Sequence, residues 1–201
     1  MPQYPHVLEE TAHSLIIALS DTEIGKIILP PKFTWVNSET GEPIGNLFGE
    51  PPTLKKEIES LKFANAINDL MPQFVRQQTW QTEDGVDHDM MVMERLYPLP
   101  FSHFDVPTRT VMIDKLEQEL KELHDNNYVH GDLLRPTNYF TRGDKDWMLK
   151  NVLQTENGLR LIDAGFARIY AQGKKNLKEF ASCLVQERYE FADVKTLYLA
   201  Y

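Results

Sequence analysis

The stretch YVHGDLLRPTN, Tyr128–Asn138, decides how the rest of the chain is read. A histidine, a glycine and an acid follow an apolar pair, and the phrase closes on a proline and an asparagine. Glycine lets the backbone turn sharply, so a carboxylate beside it can be presented at the end of a strand. A second acid repeats the layout: Asp163 in LIDAG follows an apolar run and again stands close to a glycine. An isolated H-G-D triplet has little weight, because a loop aspartate is most often a cap or a turn former. The conjunction weighs more: a helix, a short apolar pair, H-G-D-L, an asparagine, a hairpin and L-I-D-x-G, in that order.

Outward from this stretch the elements follow from periodicity. Just before it, RTVMIDKLEQELKELHDNN places Ile113, Leu116, Leu120 and Leu123 at helical spacing and ends in the turn formers Asn126 and Asn127. After it, MLKNVLQ, the turn TENG and LRLIDAG read as a hairpin running into a loop. The tail KEFASCLVQERYEFADVKTLYLAY reads as helix. Upstream, SLIIAL (14–19) and EIGKIIL (23–29) read as strands around the turn Ser20, Asp21 and Thr22. Lys32 to Thr53 is a long loop with one short strand at FTWV. TLKKEIESLKFANAIND is a helix with its stripe at Leu54, Ile58, Leu61 and Ala64, and FVRQQTWQT (74–82) and DMMVMERL (89–96) are strands joined by EDGVDH. Pro98 and Pro100 mark a boundary. Residues 1–96 are thus expected to form an N-terminal lobe of antiparallel strands plus one helix, and residues 97–201 a mainly helical C-terminal lobe.

Bulk composition narrows the function classes. At 201 residues, with 30 carboxylates against 21 basic groups and a net charge of −9, the chain opposes general attraction to phosphate backbones, so nucleic acid is not the expected partner. The apolar runs are too short to span a bilayer, and MPQYPHVLEE lacks a signal-peptide layout, so a cytoplasmic location is expected. Cys183 is alone, which leaves neither a disulfide nor paired thiols for zinc. None of the histidines forms a metal-binding pair.

HGDLLRPTN resembles the catalytic loop H-R-D-L-K-P-x-N of the protein kinase-like superfamily, in the H-G-D form of RIO-type, lipopolysaccharide-kinase-type and aminoglycoside-phosphotransferase-type members. LIDAGFA resembles the segment around D-F-G. The specific part of the resemblance runs from Tyr128 to Ala167. It implies an α+β, two-lobed protein kinase-like fold with a truncated C-terminal lobe, and an enzyme that uses ATP and Mg2+. By resemblance Asp132 would orient or accept the acceptor hydroxyl, and Asp163 would hold the magnesium that bridges the phosphates. His130 is expected to pack beneath the loop. Two asparagines compete as the further metal ligand. Asn138, in RPTN, stands one position later than the family spacing but is favoured by the adjacent Pro136, while Asn151 matches the spacing to the metal aspartate if roughly 135–149 is an insertion.

The same resemblance assigns the N-terminal half. A kinase places a strand lysine on the α and β phosphates and tethers it with a helix glutamate. Lys26 in EIGKIIL resembles that lysine, with Lys32 as the substitute. Glu57, flanked by Leu54 and Leu61 at helical spacing, borders the apolar stripe and is the expected tether, whereas Glu59 falls on a solvated face. MVMERLYPL resembles the hinge, with Met93 behind the adenine and the backbones of Glu94 and Leu96 offering hydrogen bonds to its edge.

The pattern also breaks. No glycine precedes Gly25, so a phosphate-covering loop must be built without glycine or be absent. Ala164 replaces the phenylalanine of D-F-G, and Gly131 replaces an arginine that often holds a phosphorylated activation loop. Asp193 in ADVKTLYLAY resembles the start of the large helix whose aspartate anchors the catalytic loop, and the usual following helices are missing. Lys174, Lys175 and Lys178 form a basic run where an acceptor would approach, though such runs are mostly solvated surface. The implied activity is phosphotransfer to a hydroxyl acceptor, protein serine or threonine, with a partner protein completing the lobe as one possibility. The alternatives are a small-molecule or sugar kinase and a pseudokinase that only binds.

Overall fold

The computed structural model describes residues 4–11, 14–29, 53–82, 85–134, 148–149, 151–170 and 177–200. FTWV, Lys32, Asn138, Lys174 and Lys175 lie outside the described residues. The architecture is mixed α/β, with a five-stranded antiparallel sheet and, among the described residues, three α-helices. No helix among them is long and apolar enough to cross a membrane. The chain divides into two compact units, Met1–Ile58 with Phe74–Arg95, and Glu59–Gln73 with Leu96–Tyr201.

In the first unit β1 (His6–Glu10), β2 (Ser14–Ala18), β3 (Glu23–Ile28), β4 (Phe74–Gln81) and β5 (Asp87–Glu94) form one sheet in the order β1-β2-β3-β5-β4. The β2–β3 turn closes because Ser20 Oγ accepts from the amides of Thr22 and Glu23, both at 3.1 Å. Ile17, Ile27, Met90 and Val92 make a buried cluster, with Leu15, Leu19, Leu29 and Trp80 packed against it. Gly25 leaves the room for this packing: a Cβ there would stand 2.2 Å from Met90 Sδ. Because side chains alternate along a strand, Lys26 takes the face opposite Ile27. β1 was not expected. Its sequence HVLEE is exposed at four of five positions, so it has no alternation to read, and its glutamates suit a sheet edge.

The helix α1 (Leu54–Asn65) starts where Thr53 Oγ1 accepts from the amide of Lys56 at 3.3 Å. Glu57, Ile58, Leu61 and Ala64 are buried along it.

In the second unit α2 (Val106–Asp125) is capped by Asp105, whose side chain accepts from the amide of Thr108 at 2.9 Å, and buries Ile113, Leu116, Leu120 and Leu123. Asn127, at φ 62°, turns the chain into β6 (Tyr128–Val129). β7 (Met148–Leu149), β8 (Val152–Thr155) and β9 (Gly158–Leu161) form a three-stranded sheet. MLKNVLQ is therefore not one arm of a hairpin: its ends form two strands, β7 and β8, which pair with each other, with Asn151 in a turn before β8. The β8–β9 turn is the expected TENG, tied by Thr155 Oγ1 donating to the Gly158 carbonyl at 2.9 Å. β10 (Arg168–Ile169) pairs with β6, and α3 (Leu177–Ala200) buries Glu187, Glu190, Val194 and Tyr198.

Hydrogen bonds to backbone carbonyls tie Glu59–Gln73 to this unit. The Leu161 amide donates to the Leu70 carbonyl at 2.9 Å, Arg160 Nη2 to the Met71 carbonyl at 2.9 Å, and Asn68 Nδ2 to the Glu119 carbonyl at 3.0 Å. Buried Arg109 donates Nη1 to the Tyr198 carbonyl at 3.0 Å, which puts a cation at the negative end of α3.

Candidate active site

Within the first unit Lys26 Nζ donates to Glu57 Oε1 at 2.6 Å, and the residues are only 6% and 2% exposed. Removing two charges from water is costly, and an apolar pair of similar volume would often serve stability as well. Glu59, two positions on, is exposed. Met93 is buried at the end of β5, Glu94 closes that strand opposite Glu23, and Leu96 follows it half-buried.

The second unit holds the two acids. Asp132 lies in irregular backbone after β6 and is only 4% exposed. Asn151, in the turn between β7 and β8, donates Nδ2 to the Asp132 carbonyl at 2.6 Å and to Asp132 Oδ2 at 3.2 Å. His130 is fully buried, and its Nε2 bonds the Ile162 carbonyl at 3.1 Å. A carbonyl only accepts, so Nε2 carries the proton. The Ile162 amide donates to the Asn151 carbonyl at 2.9 Å, which closes a circuit from Asp132 through Asn151 to the residue before Asp163.

Asp163 is exposed and sits in left-handed backbone at φ 65°, with Oδ1 accepting from the Gly165 amide at 3.2 Å. A non-glycine residue held there costs about 1 kcal/mol, and such strain concentrates where a side chain must be aimed. The 3-10 turn Ala164–Phe166 that follows lies directly against the first loop. A Cβ on Gly131 would come within 2.8 Å of the Phe166 carbonyl oxygen, and Gly131 itself has φ +76°. Close approach and backbone conformation both demand glycine at this position. Ala164, in place of a large aromatic, is buried.

The loop is anchored from α3, though not by Asp193. That residue is exposed and lies in the second half of a helix that starts at Leu177. Two glutamates do the work instead. Glu187 Oε2 accepts from the Gly131 amide at 2.5 Å and its Oε1 meets His124 Nε2 at 2.9 Å. Glu190 Oε2 accepts from the amides of Leu133 and Leu134 at 2.9 and 3.2 Å. Their signal in the sequence was two acids three apart on the same helical face as Val194 and Tyr198, a stripe that reads otherwise as core.

The donor chemistry fits a hard cation. Among the described residues no group of three or more His, Cys, Asp or Glu side chains could cage a metal. Asp163 and Asn151 offer a carboxylate and, with Nδ2 committed to Asp132, an amide oxygen. A small set of oxygen donors suits Mg2+, which keeps several waters and shares the rest with substrate phosphates. Asn138 lies outside the described residues.

No family model matches the chain, and no curated protein matches it in sequence. Solved structures do match, among them the PK-1 kinase of Cydia pomonella granulovirus, at a TM-score of 0.47 and 16% sequence identity. That match covers 81% of this chain and 50% of the viral one, so the chain spans half the length of that structure.

Proposed function

We propose that the chain is an ATP- and Mg2+-dependent phosphotransferase that moves the γ-phosphate of ATP to a hydroxyl, with protein serine or threonine as the acceptor. The observation that carries this reading is the clasp of Asn151 on Asp132, joined through His130 and Ile162 to the Asp163 turn. Phosphoryl transfer asks little covalent chemistry of a protein; positioning and charge compensation supply most of the acceleration. Two carboxylates on adjoining loops, one buried and one exposed, suit two different duties.

Asp132 receives the hydrogen bond of the acceptor hydroxyl. It takes the proton as the bond from oxygen to phosphorus forms and the bond to the ADP leaving group breaks. Asp163 and the Asn151 amide oxygen would hold Mg2+, which when bound offsets charge on the donor's phosphate oxygens. Lys26 serves the α and β phosphates, and Glu57 orients its ammonium. The backbones of Glu94 and Leu96 serve the adenine edge.

Incubation with γ-labelled ATP and Mg2+, alone and then with casein-like protein, tests the reading. Label on the chain itself or on the added protein is expected. Label that appears only on small hydroxyl compounds would reassign the acceptor. A melting temperature indifferent to ATP, with and without Mg2+, would remove the catalytic reading.

A further inference from the structure

We propose that Glu190 is a positioning residue for Asp132, an inference that rests on the phosphotransfer reading above. Residues 130–134 belong to neither helix nor strand, so their amides have no ladder to join. Buried amides without partners are costly. The amide before Asp132 goes to Glu187 and the two after it go to one oxygen of Glu190, so the acid is bracketed from α3 on both sides. The other oxygens are committed as well. Glu187 Oε1 meets His124, and Glu190 Oε1 accepts from Gln186 Nε2 at 3.0 Å.

Glu190 is 7% exposed, and a buried carboxylate is an expensive way to fill space that leucine would fill more cheaply. What it supplies is a charge-assisted grip on two successive amides. A loop shaped by side chains from another element, rather than by its own ladder, keeps its shape only while those side chains remain. Asp132 cannot shift without breaking the Leu133 and Leu134 bonds or the Asn151 clasp, so its carboxylate position is set jointly by α3 and by the β7–β8 turn.

The test compares Glu190→Gln with Asp193→Asn, a control on the same helix whose side chain is exposed. In Glu190→Gln we expect a folded protein in which the Leu133 and Leu134 amides exchange faster and the Asn151 side-chain amide resonances move. Turnover should fall roughly tenfold to a hundredfold with the KM for ATP unchanged, the pattern of a group that acts after binding. Asp193→Asn should change none of these. Unchanged turnover in Glu190→Gln despite altered loop amides, or Asn151 resonances that stay in place, overturns the proposal. Should the wild-type protein show no turnover at all, the phosphotransfer reading fails, and the Asn151 resonances alone decide whether Glu190 positions the loop. If Glu190→Gln does not fold, Glu190→Asp takes its place: it keeps the charge on a shorter arm, should lose part of the turnover, and sinks the proposal if it loses none.

Discussion

Asn151 grips Asp132 at two points, its Nδ2 reaching both the backbone carbonyl at 2.6 Å and the carboxylate Oδ2 at 3.2 Å. One bond fixes where the residue sits and the other how its side chain is turned. The donor comes from a turn between two short strands, nineteen positions along the chain.

Asn151→Ala should therefore damage two things at once. The carboxylate loses its orienting donor, and under the proposed function the cation would lose an oxygen. We expect Mg2+-dependent nucleotide affinity to fall by at least about tenfold, as loss of a metal-site group commonly does, with turnover falling further. Calorimetric titration with and without Mg2+ measures this, and Asn138→Ala in parallel should be the milder variant. The reverse ranking would reassign the asparagine.

Lys26→Met should destabilise the fold by about 3–5 kcal/mol, because it removes the ammonium that accompanies a buried glutamate. Replacing both members, as Lys26→Met with Glu57→Leu, should recover most of that loss in urea unfolding while leaving nucleotide binding impaired. A double variant no more stable than the single one would mean that the pair is not an isolated buried couple.

Gly131→Ala introduces a methyl group 2.8 Å from the Phe166 carbonyl at a residue with φ +76°. Either the 3-10 turn after Asp163 moves or the loop does. Turnover should drop more than melting temperature, and nucleotide binding should weaken only when Mg2+ is present. Wild-type kinetics in this variant would show that the two loops tolerate separation.

Most of the elements that carry these residues could be read from the residue pattern, and the reasons differ by element. β2, β3, α1 and α2 follow from apolar spacing, because each buries one face. Glu57 was distinguishable from Glu59 by its neighbours on the helix, and one is buried while the other is exposed. β1 was not readable, since an exposed edge strand has no alternation. The turn at Asn151 was hidden because 148–154 is only a strand's length and its two apolar pairs read as one strand. Asp193 was favoured by likeness to a family pattern. Helix geometry favours Glu187 and Glu190, which fall on the face that carries Val194 and Tyr198.

Burial pushes the Tyr198 phenol up to about 12, against a smaller opposing effect of Arg109. A phenol with a raised folded-state pKa contributes stability that is complete below its ordinary value of about 10 and is lost as pH rises toward 12. The wild-type melting temperature should therefore fall more steeply over that interval than that of Tyr198→Phe, which cannot ionise there. Parallel slopes would show that the Tyr198 proton is not linked to folding.

The most direct test separates the two acids by titrating ATP into Asp132→Ala and Asp163→Ala, with and without Mg2+, beside turnover of each. Asp132→Ala should bind nucleotide as the wild-type protein does and turn over none. Asp163→Ala should lose the Mg2+-dependent part of binding and, with it, turnover. Equal loss of binding in both variants, or binding in Asp163→Ala that still responds fully to Mg2+, would contradict the division of labour on which the account rests.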